Sequence, residues 1–159
     1  MVTDLSAAVA DEQVRQRYAA KVRRVDGDPC AWWVGAVSGR GTGRFWLGPG
    51  VAIIAHRYGF ALANGVDALF HPDGSRVLLA HSCDNPLCQA AEHLSVATPA
   101  QNRAEWDRRR SNLGSPLRDI RGARGRAMAV RAALLTGGDV AACLRAGMTA
   151  VDRDQLTLF

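Results

Sequence analysis

The segment His81-Ser82-Cys83-Asp84-Asn85-Pro86-Leu87-Cys88-Gln89-Ala90-Ala91-Glu92-His93 decides the reading of this chain. Four residues intervene between Cys83 and Cys88, and four more between Cys88 and His93. A turn at Asp84-Asn85-Pro86 can fold both thiolates onto one ion, with His93 as the third ligand. Cys30, far upstream, supplies the fourth. Zinc takes about four such ligands in a tetrahedron, and a site filled entirely by protein is structural. The alternative is a set of buried free cysteines. Three ligands crowded into so short a run weigh against it.

Two side chains beside this run are left over. Neighbours in an extended segment face apart, so His81 and Ser82 cannot both join the knot. His81 is therefore pinned beside the metal yet free to accept a proton, and an imidazole suits a general base near neutrality. Thr98-Pro99-Ala100-Gln101 is a capping box with proline at the first helical position. A helix starting there puts Asn102 in its first turn, where free amides and the dipole favour phosphate. Its neutral oxygen suits a hard ion such as Mg²⁺, which takes few protein ligands and fills its sphere with water and phosphate oxygen.

Working outward, the pattern predicts an α+β fold. Asp11 to Val25 reads as an amphipathic helix, with Val14, Tyr18, Val22 and Val25 on one stripe. Ala31 to Val34 and Arg44 to Leu47 are β-prone runs flanking a glycine-rich turn, and together they predict a hairpin. Val51 to Asn64 reads as an apolar helix closed by Asn64-Gly65. Val77 to Ala80 reads as a strand running into His81. Two helices are predicted at 122–136 and 140–146, split by Gly137-Gly138 with Asp139 as N-cap; no third helix follows to complete a helix-turn-helix. Trp32, Trp33, Trp46 and Trp106 are expected in the core, and His71 at the surface. His56 is expected to pack and hydrogen-bond behind the site. Asp84 and Asn85 are expected to bond backbone amides of the loop.

The chain has 159 residues and a net charge of +5, and only Lys21 among its 20 basic residues is lysine. From Arg103 to Arg131 nine arginines face three acids, Glu105, Asp107 and Asp119, a local +6 that exceeds the charge of the whole chain. Such a stripe is the footprint of a polyanionic partner, with Arg108, Arg109, Arg110, Arg121, Arg124 and Arg126 as the expected DNA contacts. A plain solvated helix face is the competing explanation. There is no signal-peptide pattern and no apolar run of membrane length, so a cytoplasmic, nucleoid-associated protein with reduced thiols is expected.

These residues resemble the HNH/His-Cys box endonucleases of the ββα-metal (His-Me finger) superfamily. The resemblance runs from about Cys30 to Trp106. It rests on Cys30-x-Trp32-x-x-Gly35, Gly43-Arg44-Phe45, Ala55-His56-Arg57-Tyr58, His81-x-Cys83-Asp84-Asn85-Pro86-x-Cys88, His93-Leu94 and Asn102. It implies a zinc-stapled ββα-metal core. In that core His81 is the general base, Asn102 holds Mg²⁺ (Mn²⁺ substituting) and Arg44 contacts the scissile phosphate. Cys30, Cys83, Cys88 and His93 are the implied structural zinc ligands. Ala90-Ala91 replaces the family's usual Asn-Pro. The second zinc cluster of true His-Cys box enzymes is missing, since only Cys143 lies beyond Asn102.

The expected organisation is an N-terminal helix in 1–28, an HNH nuclease core in 29–112, a basic helical accessory segment in 113–150 and a tail in 151–159. The tail ends Gln155-Leu156-Thr157-Leu158-Phe159. It resembles the bacterial β sliding-clamp binding motif, with Gln155 at a pocket rim and Leu156, Leu158 and Phe159 inserted. The function expected is a Mg²⁺-dependent endonuclease acting on double-stranded DNA, tethered to the clamp for repair. A homodimer is left open. The competing functions are a non-catalytic zinc-stapled DNA-binding module and a phage or mobile-element endonuclease of homing type.

Overall fold

Asp11 joins the first two helices. α1 (Leu5–Ala10) ends on it, and α2 (Glu12–Ala19) begins on it. Its carboxylate accepts from the amides of Gln13 and Val14 at 2.8 and 3.2 Å, satisfying two orphan donors of the first turn. These helices open a computed structural model that describes residues 4–156. The remaining elements are β1 (Val22–Arg24), β2 (Ala31–Trp33), β3 (Ala36–Val37), β4 (Gly43–Gly48), β5 (Val51–Ile54) and α3 (Ala55–Asn64). After them come β6 (Leu78–His81), β7 (Leu94–Ala97), α4 (Pro99–Arg109), α5 (Gly122–Thr136), α6 (Val140–Ala146) and α7 (Ala150–Leu156). The fold is mixed α+β, with three small antiparallel sheets ordered β1-β2, β3-β4-β5 and β6-β7.

Three sequence expectations are corrected here. The helix expected over Asp11 to Val25 stops at Ala19, and Val22 turns into β1, paired with Trp33. Val22 and Val25 sit at helical spacing, but β-branched side chains fit a strand, and pairing against the buried Trp32 and Trp33 wins. The run 31–34 does not pair with 44–47: β2 pairs with β1, and the hairpin forms between β3 and β4. The first four residues of the expected Val51 helix are β5, which pairs Ile54 with Arg44 and Ile53 with Phe45. Three of those four are β-branched, and the helix begins only at Ala55.

One aromatic cluster draws these pieces together. Tyr18, Trp33, Phe45 and Tyr58 have ring centroids 4.8 to 5.9 Å apart in tilted or edge-on pairs. Their polar atoms are satisfied: Tyr18 donates to Gln89 Oε1 at 2.8 Å, Tyr58 to the Ala8 carbonyl at 2.9 Å, and the Trp33 indole to the Ala36 carbonyl at 2.9 Å. Gly35 and Gly43 clasp the Trp33 indole; a Cβ on either would approach it within 2.5 and 2.6 Å. Ala127 and Val130 of α5 and Val140 of α6 join the same buried cluster, so the C-terminal helices pack on the core that holds Cys30 and Cys88. Trp46, expected inside, is 48% exposed because it alternates outward on β4.

The expectations for 122–136 and 140–146 match α5 and α6, including the Asp139 cap, whose carboxylate accepts from Ala142 N at 3.0 Å. The tail expected from residue 151 is instead helical to Leu156, so a third helix does follow α6. Asp152 explains why: it is buried, accepts from Arg118 Nε at 3.0 Å, and takes the Thr149 hydroxyl at 2.8 Å. No helix among the described residues is long and apolar enough to cross a membrane.

Candidate metal centre and the His81 face

β6 and β7 pair from Leu78↔Ala97 to His81↔Leu94, and the segment between them is the cysteine loop. The strand expected over Val77 to Ala80 is shifted one residue and ends on His81 itself, and the loop then bends at Asp84, the one non-glycine residue with positive φ (54°) among those described. An Asp tolerates this region better than most residues. β2 delivers the upstream ligand: Gln89 N donates to the Ala31 carbonyl at 2.6 Å and Trp33 N to the Leu87 carbonyl at 2.9 Å, which lays β2 along the loop.

The ligand atoms of Cys30, Cys83, Cys88 and His93 all lie within 4.8 Å of one another. His93 Nδ1 is 3.4 Å from Cys88 Sγ and 3.9 Å from Cys30 Sγ. A tetrahedral zinc spaces sulfur ligands about 3.7 Å apart, so the residues fit such an ion. The thiol electrostatics agree. Hydrogen bonds from Cys30 and then Cys83 hold the Cys88 thiol low, while bonds to Cys83 and Cys88 push Cys30 up. One thiolate is thus tolerated at the expense of another, and a cation is what lets all three ionise together. The cluster could hold a metal such as zinc.

Two side chains brace the loop in a way the sequence did not signal. Asn85, buried, donates to Cys30 Sγ at 3.1 Å and accepts from Arg126 Nε of α5 at 3.0 Å. Asp84 receives a two-point bond from Arg109 of α4, at 2.8 and 3.0 Å, and Arg109 also meets Glu105 at 2.6 Å. These carboxylate and amide groups were expected on backbone amides; arginines from distant helices take them instead. Planar guanidinium forks match such pairs.

The basic stripe accordingly divides. Arg109 and Arg126 hold the loop, and Arg121 is locked on Asp119 at 2.9 and 2.7 Å. Arg108, Arg110 and Arg124 are exposed. Arg108 pairs with Glu105 and Arg110 lies 3.7 Å from Asp107. Trp106, expected in the core, is only half-buried: Arg103 and Arg110 each lie 4.9 Å from its ring centroid in cation–π contact.

His81 Nε2 is 3.1 Å from the Cys88 carbonyl oxygen. A carbonyl only accepts, so Nε2 carries the hydrogen and Nδ1 keeps its lone pair. Burial holds the imidazole below its ordinary pKa, which favours the neutral, basic form. His56 of α3 stands edge-on to it, ring centroids 4.7 Å apart at 85°. His56 is buried as expected, but its Nδ1 has no hydrogen-bond partner among the described residues, and burial followed by the charge of His81 pushes its pKa down to about 3. It braces the His81 ring by packing.

Thr98 and Gln101 form the expected capping box, at 3.1 and 2.8 Å, and Asn102 is the fourth residue of α4. Arg44 lies on β4 with its side chain half-buried. The side chains of Asn102 and Arg44 have no hydrogen-bond or ion-pair partner among the described residues. Gln155 is exposed on the last turn of α7, while Leu158 and Phe159 of the expected clamp motif lie outside the described residues.

The chain is 35% identical over 109 residues to protein 2.8 of Escherichia phage T7, an overlap of 67% of this chain and 70% of that protein. It is 31% identical over 75 residues to protein 7.7 of the same phage, 47% of this chain and 52% of that protein. No family model matches the chain, and no solved structure matches it.

Proposed function

The chain belongs to the family of protein 2.8 of Escherichia phage T7, whose name carries no activity, and from the chemistry of the site itself we propose that it is a Mg²⁺-dependent DNA endonuclease of HNH type with a structural zinc. The observation that carries this reading is the His81 tautomer. A histidine whose Nε2–H is fixed by a backbone carbonyl, and whose ring is braced by a second histidine, presents Nδ1 as a base. The succession β6, β7, α4, with the cysteine loop between the strands, supports a ββα-metal arrangement. Cys30, Cys83, Cys88 and His93 would hold zinc as a staple between β2 and that loop, leaving no coordination position open for chemistry.

In this reading His81 Nδ1 takes a proton from a water aligned with the scissile phosphorus. Arg44 meets the phosphate oxygens and favours the pentacovalent state over the ground state. Asn102 offers a side-chain oxygen, on a helix whose N-terminal amides favour phosphate. Mg²⁺ held there would supply charge for the phosphate and the leaving oxygen. Arg108, Arg110 and Arg124 would position the duplex without reading its sequence.

Both relatives are phage proteins, which favours a phage or mobile-element setting over host repair. Tethering to a sliding clamp through Gln155, Leu156, Leu158 and Phe159 stays part of the proposal; deleting 155–159 should abolish clamp binding and leave naked-plasmid cutting intact. The nuclease reading is tested with supercoiled plasmid. Wild-type protein should nick or linearise it with Mg²⁺ and not without, and Asn102→Ala should lose the Mg²⁺ response. Wild-type protein that binds duplex DNA but never cuts it would move the assignment to a zinc-stapled binding module.

A further inference from the structure

A second cluster of arginines lies away from the α4–α5 stripe. Arg44 of β4, Arg57 of α3 and Arg76, just before β6, line one cleft with Phe70, and no acidic residue among those described lines it. Arg57 is fixed there: its guanidinium donates to the Val77 carbonyl at 2.7 Å and the Leu69 carbonyl at 3.1 Å. Both acceptors are neutral, so its charge stays uncompensated. The side chains of Arg44 and Arg76 have no hydrogen-bond or ion-pair partner among the described residues, and Arg76 is exposed. Burial, and after it the charge of Arg76, pull the Arg57 guanidinium below its ordinary pKa.

Three like charges gathered in one concavity repel one another, and no carboxylate among the described residues lines the cleft to relieve them. The other arginine clusters here behave differently. Arg109, Arg118 and Arg121 each sit on an internal carboxylate. A cleft that collects guanidinium groups and withholds the counter-charge is built for an external anion, and planar forks suit phosphate oxygens. The aromatic face of Phe70, 39% exposed, borders it.

We infer that the Arg44–Arg57–Arg76 cleft binds a backbone phosphate of the DNA adjoining the one that is cut. The inference rests on the nuclease reading for which phosphate is cut, but the cleft's affinity for the DNA backbone does not depend on cleavage. Arg57, held by two carbonyls, sets the position. Arg76 closes on the phosphate from the solvent side. Arg44 is shared with the scissile group.

The test is binding of a short DNA duplex, by fluorescence anisotropy over a salt series with no divalent cation added. Arg76→Ala should weaken binding several-fold and lower the slope of log K against log salt by about one, the loss of one phosphate contact. Arg76→Glu should weaken it further. Arg15→Ala, outside the cleft, removes the same charge and should change the slope less. Inorganic phosphate at millimolar concentration should compete weakly and equally against wild type and Arg15→Ala. Arg76 variants that melt like wild type and bind with wild-type affinity and slope would overturn the cleft, as would an equal loss in Arg15→Ala or a wild-type protein that does not bind duplex DNA. If the wild type binds but never cuts, while Arg76→Ala still loses the slope, the nuclease reading falls and the cleft stands.

Discussion

A single hydrogen bond sets the chemistry of His81. The Cys88 carbonyl, 3.1 Å away, fixes the proton on Nε2 and so leaves Nδ1 basic. Cys88 is also one of the four metal-ligand candidates, so the loop that gathers the ligands orients the base as well. A removal of His56 should therefore loosen the base without removing it. His56→Ala is expected to lower the cleavage rate at saturating DNA by about tenfold, far less than loss of the base itself, with DNA affinity unchanged. A rate equal to wild type would show that the edge-on ring contact contributes nothing. Asn85 is a second residue with a double task, bonding Cys30 Sγ at 3.1 Å and Arg126 at 3.0 Å. Asn85→Ala should leave the four ligands in place but raise the rate at which a chelator strips the metal, because groups that hydrogen-bond a metal ligand typically tune affinity by about 10- to 100-fold. Metal release at the wild-type rate would remove Asn85 from the account.

At the scale of elements, the ion pairs decide what the helices do. α7 docks through the buried Asp152 on Arg118, and the bonds from Arg118 hold that carboxyl below its ordinary range. A carboxylate with a depressed folded pKa stabilises the fold at pH values above its unfolded pKa, and the contribution is lost as pH falls through the folded value. Asp152→Asn should thus destabilise the protein by about 2 kcal/mol at neutral pH, and the gap to wild type should narrow as pH drops below the carboxylate range. A gap independent of pH would contradict the pairing. Much of the element pattern was legible. The Thr98 capping box, the Asp139 cap and the strand into His81 all carry local signals, and they stand where the sequence puts them. Two of the failures were at Val22 and Val51. Their β-branched side chains have helical spacing, and pairing with the neighbouring strand, Val22 with Trp33 and Ile53 with Phe45, turns these runs into strands. Arg126 on Asn85 and Arg109 on Asp84 link positions 41 and 25 apart, and no periodicity reports such pairs.

For the whole molecule, one core carries the site and its surroundings. Helices from both ends of the chain pack on the cluster that buries Cys30 and Cys88, so metal binding and folding are coupled. Cys83→Ser should abolish stoichiometric metal and the cooperative melt together; a variant that melts like wild type would separate the centre from the fold. The central claim is that His81 acts as the base in phosphodiester hydrolysis. It is tested most directly by the single-turnover rate of plasmid nicking in Mg²⁺, wild type against His81→Ala, with metal content and melting measured on the same samples. The account predicts a rate loss of about 10²- to 10⁴-fold in a variant that keeps its metal, its fold and its DNA affinity. Cleavage at the wild-type rate in His81→Ala would contradict it.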